Sequence, residues 1–277
     1  MTRFRNLEQN EITLLLEEFN TFGYCIIRDF LAQASIENIN ELIEQEIAFR
    51  EDRHSSYHSI LLEHEAFYDL LFIEPLLYLM TRILGPNIKV SYYDLFITPE
   101  NEDDKIFFFA GYDKATGLGF HRDGGRINKD LDDSLVIPRL SCKIAFWLTD
   151  LKNADGGNIY LKPGSHLDKF LHKPGDSMEG AIPLMVNHGD ILIFDRRILH
   201  GRSINKSSFE RRVIFLEYCV RWLLRKQDMP TVRTHTHIAN QLLSSPSNPW
   251  ENYWPSDVLP LQRFQEVFEQ NLLRHNA

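Results

Sequence analysis

Apolar residues recur at helical spacing from Leu7 to Phe22, where Ile12, Leu15, Leu16 and Phe19 are interleaved with Glu11, Glu17 and Glu18 before Gly23 supplies a stop. A short strand over Tyr24 to Arg28 follows. A second helix is predicted over Ser35 to Phe49 from Ile36, Ile39, Leu42, Ile43 and Ile47, and a third over Phe67 to Leu84, ending at Gly85-Pro86. From Ile88 the period shortens. The β-branched and aromatic run Val90 to Thr98, then Leu140 to Leu148, Asn158 to Leu161, Ile182 to Val186, Ile191 to Phe194 and Val213 to Val220, predict strands. Asp155-Gly156-Gly157 predicts a hairpin turn between two of them, because glycine readily takes positive φ. Long loops are expected over Pro99 to Gly119 and from Pro163-Gly164-Ser165 to Gly180, and such loops often carry substrate contacts. A final helix, Leu259 to Leu273, follows a segment with prolines near Pro246 and Trp250.

The 277 residues suit one domain over 1–277, in three parts. These are a mostly helical part at 1–86, a β core at 87–222 and a C-terminal extension at 223–277. β-domains of roughly 200 to 250 residues fold as single units, so helical additions account for the remainder. With 19 Phe and 10 Tyr there is ample aromatic volume for a core. A formal net charge of −9 argues against nucleic-acid binding, which relies on clustered Lys and Arg, but leaves room for a locally basic pocket. Cys25, Cys142 and Cys219 each sit in an apolar run and read as buried small hydrophobes, which points to a reducing compartment. Met1 to Gln9 is polar and of mixed charge, and no run of 18 apolar residues occurs, so a cytoplasmic protein with no membrane partner is expected.

The chemistry concentrates at His121 and Asp123, in Gly119-Phe120-His121-Arg122-Asp123-Gly124-Gly125. On a strand, positions 121 and 123 point the same way and can grip one ion together. His200 follows the turn and apolar strand Gly189 to Asp195, and Arg211 opens the next strand eleven residues after His200. Two imidazoles and a carboxylate leave three positions of an octahedral ion open, the facial arrangement of non-haem Fe(II) oxygenases. Arg is the natural bidentate partner of a carboxylate. On the strand over 140–148, Lys143, Ala145, Trp147 and Thr149 share one face, and Ile144, Phe146 and Leu148 the other.

These motifs, together with Pro163-Gly164-Ser165-His166, the run His200-Gly201-Arg202-Ser203-Ile204-Asn205-Lys206, and the N-terminal succession of helix, Phe22-Gly23-Tyr24, strand and helix, resemble the phytanoyl-CoA dioxygenase family of Fe(II)/2-oxoglutarate-dependent oxygenases over roughly residues 7 to 220. The resemblance implies a mainly β fold: a double-stranded β-helix (jelly-roll, cupin-like) core flanked by N-terminal and C-terminal helices. It implies that His121, Asp123 and His200 are iron ligands and the catalytic centre. Arg211 would hold the distal carboxylate of 2-oxoglutarate, with Trp147, Lys143 and Ser203 as further cosubstrate contacts. Fe(II), 2-oxoglutarate and O2 are then the implied cofactor and cosubstrates, and the expected reaction is oxidation of a C–H bond in a small-molecule substrate with release of succinate and CO2. Asp123 itself separates the chain from related iron halogenases, which replace the carboxylate. Arg202 stands where many relatives carry a small residue, which weakens the carry-over to Ser203. The alternative is a cupin-like metal protein that does not use 2-oxoglutarate, such as an isomerase, or a non-catalytic binder.

Other candidate groups read as structural. His54, His58 and His64 are expected on a solvated segment, His235 and His237 on ordinary surface, His188 in a turn, and His166 closing the Pro163-Gly164-Ser165 loop. Arg122, Arg126, Arg139, Arg221 and Arg225 read singly as surface ion pairs, and as a group as candidates for an anionic substrate. Phe107, Phe108, Phe109 and Tyr112 suit either a pocket wall or core packing.

Overall fold

The computed structural model describes residues 2–47, 64–101, 112–113, 118–124, 138–154, 156–168, 179–229, 236–244 and 258–275. Helix α1 (Gln9–Phe22) buries Ile12, Leu15 and Phe19 and ends at Gly23, whose φ of 83° lets its N–H donate to the Phe19 carbonyl. A Cβ at Gly23 would stand 2.5 Å from Nδ1 of His166, so this turn requires glycine. Strand β1 (Tyr24–Ile27) and helix α2 (Gln33–Ile47) follow. The third expected helix is two, α3 (Glu65–Leu70) and α4 (Glu74–Leu84), with Pro75 in the first turn of the second. Leu70, Leu71, Ile73, Leu76 and Leu77 are all buried, so the apolar pattern runs unbroken across the interruption; the signal for the break is Pro75, which favours a helix start.

The strands are β2 (Ile88–Thr98), β3 (Tyr112–Asp113), β4 (Leu118–Gly119), β5 (Ser141–Trp147), β6 (Ile159–Leu161), β7 (Ile182–Pro183), β8 (Ile191–Asp195), β9 (His200–Arg202) and β10 (Arg211–Val220). Five form a sheet in the order β1-β8-β5-β10-β2, three form the sheet β7-β6-β9, and β3 pairs with β4. Every pairing is antiparallel. Alternation along β5 divides the core in two. Cys142, Ile144, Phe146 and Leu148 join the apolar cluster built with the N-terminal helices. Ala145 and Trp147 join Ile159, Leu161, Leu184, Leu192 and Val213 between the two sheets. This is the mainly β double-stranded β-helix, or jelly-roll, with helices packed outside it. Each fully buried Leu, Ile or Phe contributes roughly 1.5 to 3 kcal/mol, the first cluster fastening the helices to the large sheet and the second joining the two sheets.

The glycines at 156 and 157 do not make a hairpin between consecutive strands. β5 pairs with β8 and β10, and β6 with β7 and β9, so the chain crosses here from one sheet to the other. Gly156 bridges Asn205, and Gly157 takes φ 75°. Turn residues report a reversal of direction and say nothing of which strands pair. Helices α5 (His237–Leu243) and α6 (Pro260–His275) complete the described chain, and Phe268 of α6 stacks on Tyr78 of α4 at 4.6 Å. No helix among the described residues is long and apolar enough to cross a membrane. All three cysteines are buried and unbridged.

Candidate metal centre

His121 and His200 face each other through the backbone. The His121 N–H donates to the His200 carbonyl at 2.8 Å and the His200 N–H to the His121 carbonyl at 3.0 Å, an isolated antiparallel bridge. Their rings lie 4.5 Å apart. Asp123 lies in the turn after the bridge, not on a continuing strand, and that turn brings Oδ1 to 3.9 Å from His121 Nε2 and Oδ2 to 3.8 Å from His200 Nε2. One ligand atom from each residue lies within 4.8 Å of the others, a grouping that could hold a metal ion. His200 opens β9 of the smaller sheet, and its Nδ1 stands 3.0 Å from the Ile198 carbonyl. A proton on Nδ1 donates there and leaves the Nε2 lone pair for a metal. Burial, then the neighbouring His121, brings the His200 pKa down to about 3, so the ring is neutral at physiological pH.

The sequence placed Lys143 on this face, and the structure puts its Nζ 2.6 Å from Asp123 Oδ2. Burial by itself would raise the Asp123 carboxyl; Lys143, then His200, hold it far below the usual carboxylate range. Burial likewise would lower the Lys143 ammonium, but Asp123 and Glu217 keep its pKa raised. Its Nζ lies 5.8 Å from the ring centroids of each of Tyr92, Phe194 and Phe215. Glu217 pairs with Lys143 across the β5–β10 ladder and with Tyr92 across β10–β2, and its Oε2 takes Lys226 Nζ at 2.6 Å. Tyr92 in turn donates to Asp94 Oδ2 at 3.0 Å. Buried Arg196 donates to the Asp123 carbonyl at 3.3 Å, which ties the ligand turn to the end of β8.

At the other end of the same face, Arg211 is 2% exposed and its Cζ lies 5.1 Å over the Trp147 ring. Trp147 Nε1 and Ser203 Oγ are buried with no hydrogen-bond partner. Such orphaned buried donors are costly unless a ligand supplies the acceptors. Gly157 is where two arginines converge: a Cβ there would lie 2.9 Å from Arg211 Cδ, 3.4 Å from Asn205 Cβ and 3.6 Å from Arg202 Nη1. Arg202 turns back to donate to the Ser203 carbonyl at 3.0 Å. Asn205 secures the approach to β10, donating through Nδ2 to the carbonyls of Pro99 at 2.9 Å and Phe209 at 2.8 Å.

Sequence reasoning passed over Glu217, Arg196, Asn205 and Lys226. Glu217 had a usable signal: it is the acidic residue in Val213-Ile214-Phe215-Leu216-Glu217-Tyr218-Cys219-Val220, and alternation from Arg211 places it on the Arg211 face. His166 is buried with Nε2 3.1 Å from the Asn20 carbonyl, and His188 is held by Asp150. His64 pairs with Glu46, His237 is exposed as expected, and Thr236 before it caps α5 through the Ala239 N–H. Arg122 donates to the Ser165 carbonyl, and Arg139 binds buried Asp195 at 2.8 Å, so neither is a simple surface pair. His54, His58, Phe107, Phe108, Phe109, Arg126 and His235, and the side chain of Tyr112, lie outside the described residues.

A family model for phytanoyl-CoA dioxygenase matches residues 19–213. No curated protein matches the sequence. Among solved structures, HygX from Streptomyces hygroscopicus, with nickel and 2-oxoglutarate bound, superposes with a TM-score of 0.62 at 14% identity, over 83% of this chain and 93% of HygX. The nickel complex of the non-heme monooxygenase ThoJ gives 0.57 at 18%, over 95% of this chain and 100% of ThoJ. AviO1 from Streptomyces viridochromogenes gives 0.53 at 22%, over 75% of this chain and 94% of AviO1. Likenesses at these identities establish the fold.

Proposed function

The chain belongs to the phytanoyl-CoA dioxygenase family, and from that premise we propose that it is an Fe(II)- and 2-oxoglutarate-dependent oxygenase that oxidises a C–H bond of a polar small metabolite or natural-product intermediate, releasing succinate and CO2. The observation that carries the reading is the convergence of His121, Asp123 and His200 within 4.8 Å, with Asp123 meeting Lys143 of the sheet face that also bears Arg211. Two imidazoles and a carboxylate suit a divalent first-row metal, and three ligands from one side leave room for a chelating cosubstrate. HygX, with nickel and 2-oxoglutarate bound, and ThoJ, a non-heme monooxygenase with nickel, share the fold and support the assignment.

Iron bound with 2-oxoglutarate and O2 supplies the oxidant; the chain supplies position, charge and exclusion of water. Arg211 takes the distal carboxylate of 2-oxoglutarate, fixed by the Trp147 ring beneath its guanidinium and by Gly157 against its stem. Trp147 Nε1 and Ser203 Oγ are the donors left for the cosubstrate. Lys143 holds Asp123 and adds positive charge beside the anionic cosubstrate. On the far side of Lys143 the face carries Tyr92, Asp94, Glu217 and Lys226, and this charged surface selects a polar substrate over an acyl chain.

The test is anaerobic. Fe(II) and 2-oxoglutarate added to metal-free protein give a weak visible charge-transfer band, which His121→Ala loses with the metal and Arg211→Ala loses with metal binding retained. A folded, metal-binding protein with no band, or an Arg211→Ala variant that consumes 2-oxoglutarate normally, overturns the reading in favour of a cupin-like enzyme, such as an isomerase, that does not use the cosubstrate.

A further inference from the structure

We propose that the end of the sheet face opposite Arg211 carries a second, oxyanion-binding site, which takes the phosphoryl group of a phosphomonoester through Lys89 and Arg221. Arg211 is the first residue of β10 and Arg221 follows its last, so at about 3.3 Å per residue the two lie roughly 30 Å apart along the strand. A cavity of about 590 Å³ opens there, lined by Lys89, Arg221, Trp222, Arg225, Lys226 and Gln227 among others.

A β-bulge builds it. Tyr92 pairs with Glu217, but the register then shifts, Val90 meets Tyr218 and Lys89 meets Cys219, leaving Ser91 without a Cα partner. The shift resets the alternation and turns Lys89 onto the face that carries Glu217 and Cys219. Without it, the parity of β2 would send Lys89 to the opposite side from Tyr92.

Lys89 is 5% exposed, and among the described residues its ammonium has no ion-pair or hydrogen-bond partner. Nε of Arg221 is buried and also has no partner. Burial lowers the Lys89 pKa; the Cys219 thiol pulls it up, and the Arg225 and Arg221 guanidiniums push it down again. The other two cations are engaged. Arg225 donates to the carbonyls of Val90, Leu242, Leu243 and Ser244, and Lys226 is held by Glu217. The carboxylate among the described lining residues, Asp228, is exposed and is not among the charges acting on Lys89. A buried cation without a counter-charge is costly, and a chain with a formal net charge of −9 has acids enough to have placed one here.

Two unsatisfied cations suit a phosphoryl dianion better than a single carboxylate. The cavity exceeds what phosphate alone would fill, and Trp222 (51% exposed) and Leu224 (94% exposed) line it, giving apolar contact for the organic part. Lys226 lines this pocket and pairs with Glu217, which faces Lys143 across β5–β10, so the pocket adjoins the metal face while His121, Asp123 and His200 are not among its lining residues.

The experiment is calorimetric titration of the full chain with inorganic phosphate and with phenyl phosphate at matched ionic strength in chloride. Phenyl phosphate is expected to bind at least tenfold more tightly than phosphate. Lys89→Met and Arg221→Gln should each weaken it at least tenfold, and Arg211→Ala should leave it unchanged. Lys89→Met, freed of its uncompensated charge, should melt above the unsubstituted protein when no anion is present, a readout that also reports folding. Unchanged binding in both Lys89→Met and Arg221→Gln, or binding lost in Arg211→Ala, overturns the site. Equal affinity for the two ligands overturns the phosphomonoester and leaves free phosphate as the occupant.

Discussion

The ammonium of Lys143 lies 2.6 Å from Oδ2 of Asp123, the same oxygen that stands 3.8 Å from His200 Nε2, and answers the buried carboxylate's charge there. A divalent metal at His121, Asp123 and His200 would meet this like charge within a few ångströms. At an effective dielectric of about 20, two unit charges about 4 Å apart interact by roughly 4 kcal/mol, and a divalent ion meets about twice that before solvent screening. Lys143→Met is therefore expected to bind Ni(II) or Mn(II) tenfold or more tightly by calorimetry, while its metal-free form melts lower because Asp123 and Glu217 lose a counter-ion. A fall in metal affinity would show instead that Lys143 serves mainly to hold Asp123 in its ligating position.

Gly157→Ala tests the Arg211 end. A Cβ there meets Arg211 Cδ at 2.9 Å and Asn205 Cβ at 3.4 Å, and the residue sits at φ 75°. Strain of this kind costs about 1 to 3 kcal/mol. The expected outcome is a lower melting temperature together with 2-oxoglutarate affinity reduced about tenfold and metal affinity unchanged. Titration of 2-oxoglutarate into the Fe(II) protein, read at the visible band, separates the two.

Residues 79 apart in sequence, His121 and His200, were legible as partners because their types and flanking glycines restrict the chemistry, and the two faces of β5 followed from alternation alone. What escaped the sequence was pairing. Nothing local to Gly156 and Gly157 says that β5 and β6 enter different sheets. Arg221 and Arg225 look alike in sequence, yet one guanidinium is consumed by the carbonyls at the end of α5 and the other is not. Lys89 reaches the inner face only because of the register shift at Ser91, and a bulge leaves little trace in composition. The strand expected at Asp123 is a turn instead, and the turn still brings its carboxylate beside the two imidazoles, since a turn can also return two side chains to one side.

Asp195 bears on how His200 is delivered. Fully buried at the end of β8, it accepts from Arg139 Nε at 2.8 Å, Arg197 Nη2 at 2.6 Å and the Arg197 N–H at 2.9 Å, which fixes the turn leading into β9. Burial would raise its carboxyl, but Arg197 and then Arg139 hold it below the ordinary 3.8. A depressed carboxylate stabilises the fold above its unfolded pKa, and that contribution is lost as pH falls through the folded value. Asp195→Asn, which leaves two arginines without their partner, should cost about 3 to 5 kcal/mol at neutral pH. Its urea midpoint should also depend less on pH below about 4 than that of the unsubstituted protein. Parallel acid limbs in the two proteins would dismiss Asp195 as the source.

Glu217 makes the substrate chemistry testable before the substrate is known. It is 1% exposed, one oxygen is held by Lys226 at 2.6 Å, and the other, Oε1, is buried with no hydrogen-bond partner. A buried carboxylate oxygen in that state calls for a donor, and the face around it, with Lys143 on one side and Tyr92 on the other, is too polar to be matched by an alkyl chain. Hydroxyl- or amine-bearing compounds are therefore expected to stimulate succinate release from 2-oxoglutarate, and long-chain acyl compounds to leave it at the uncoupled rate. Glu217→Gln keeps an acceptor and should retain the stimulation within about tenfold, whereas Glu217→Leu should abolish it while preserving the Fe(II)/2-oxoglutarate band. The preserved band separates lost substrate recognition from lost cosubstrate binding. Stimulation by an acyl compound that survives Glu217→Leu would show that this face does not meet the substrate.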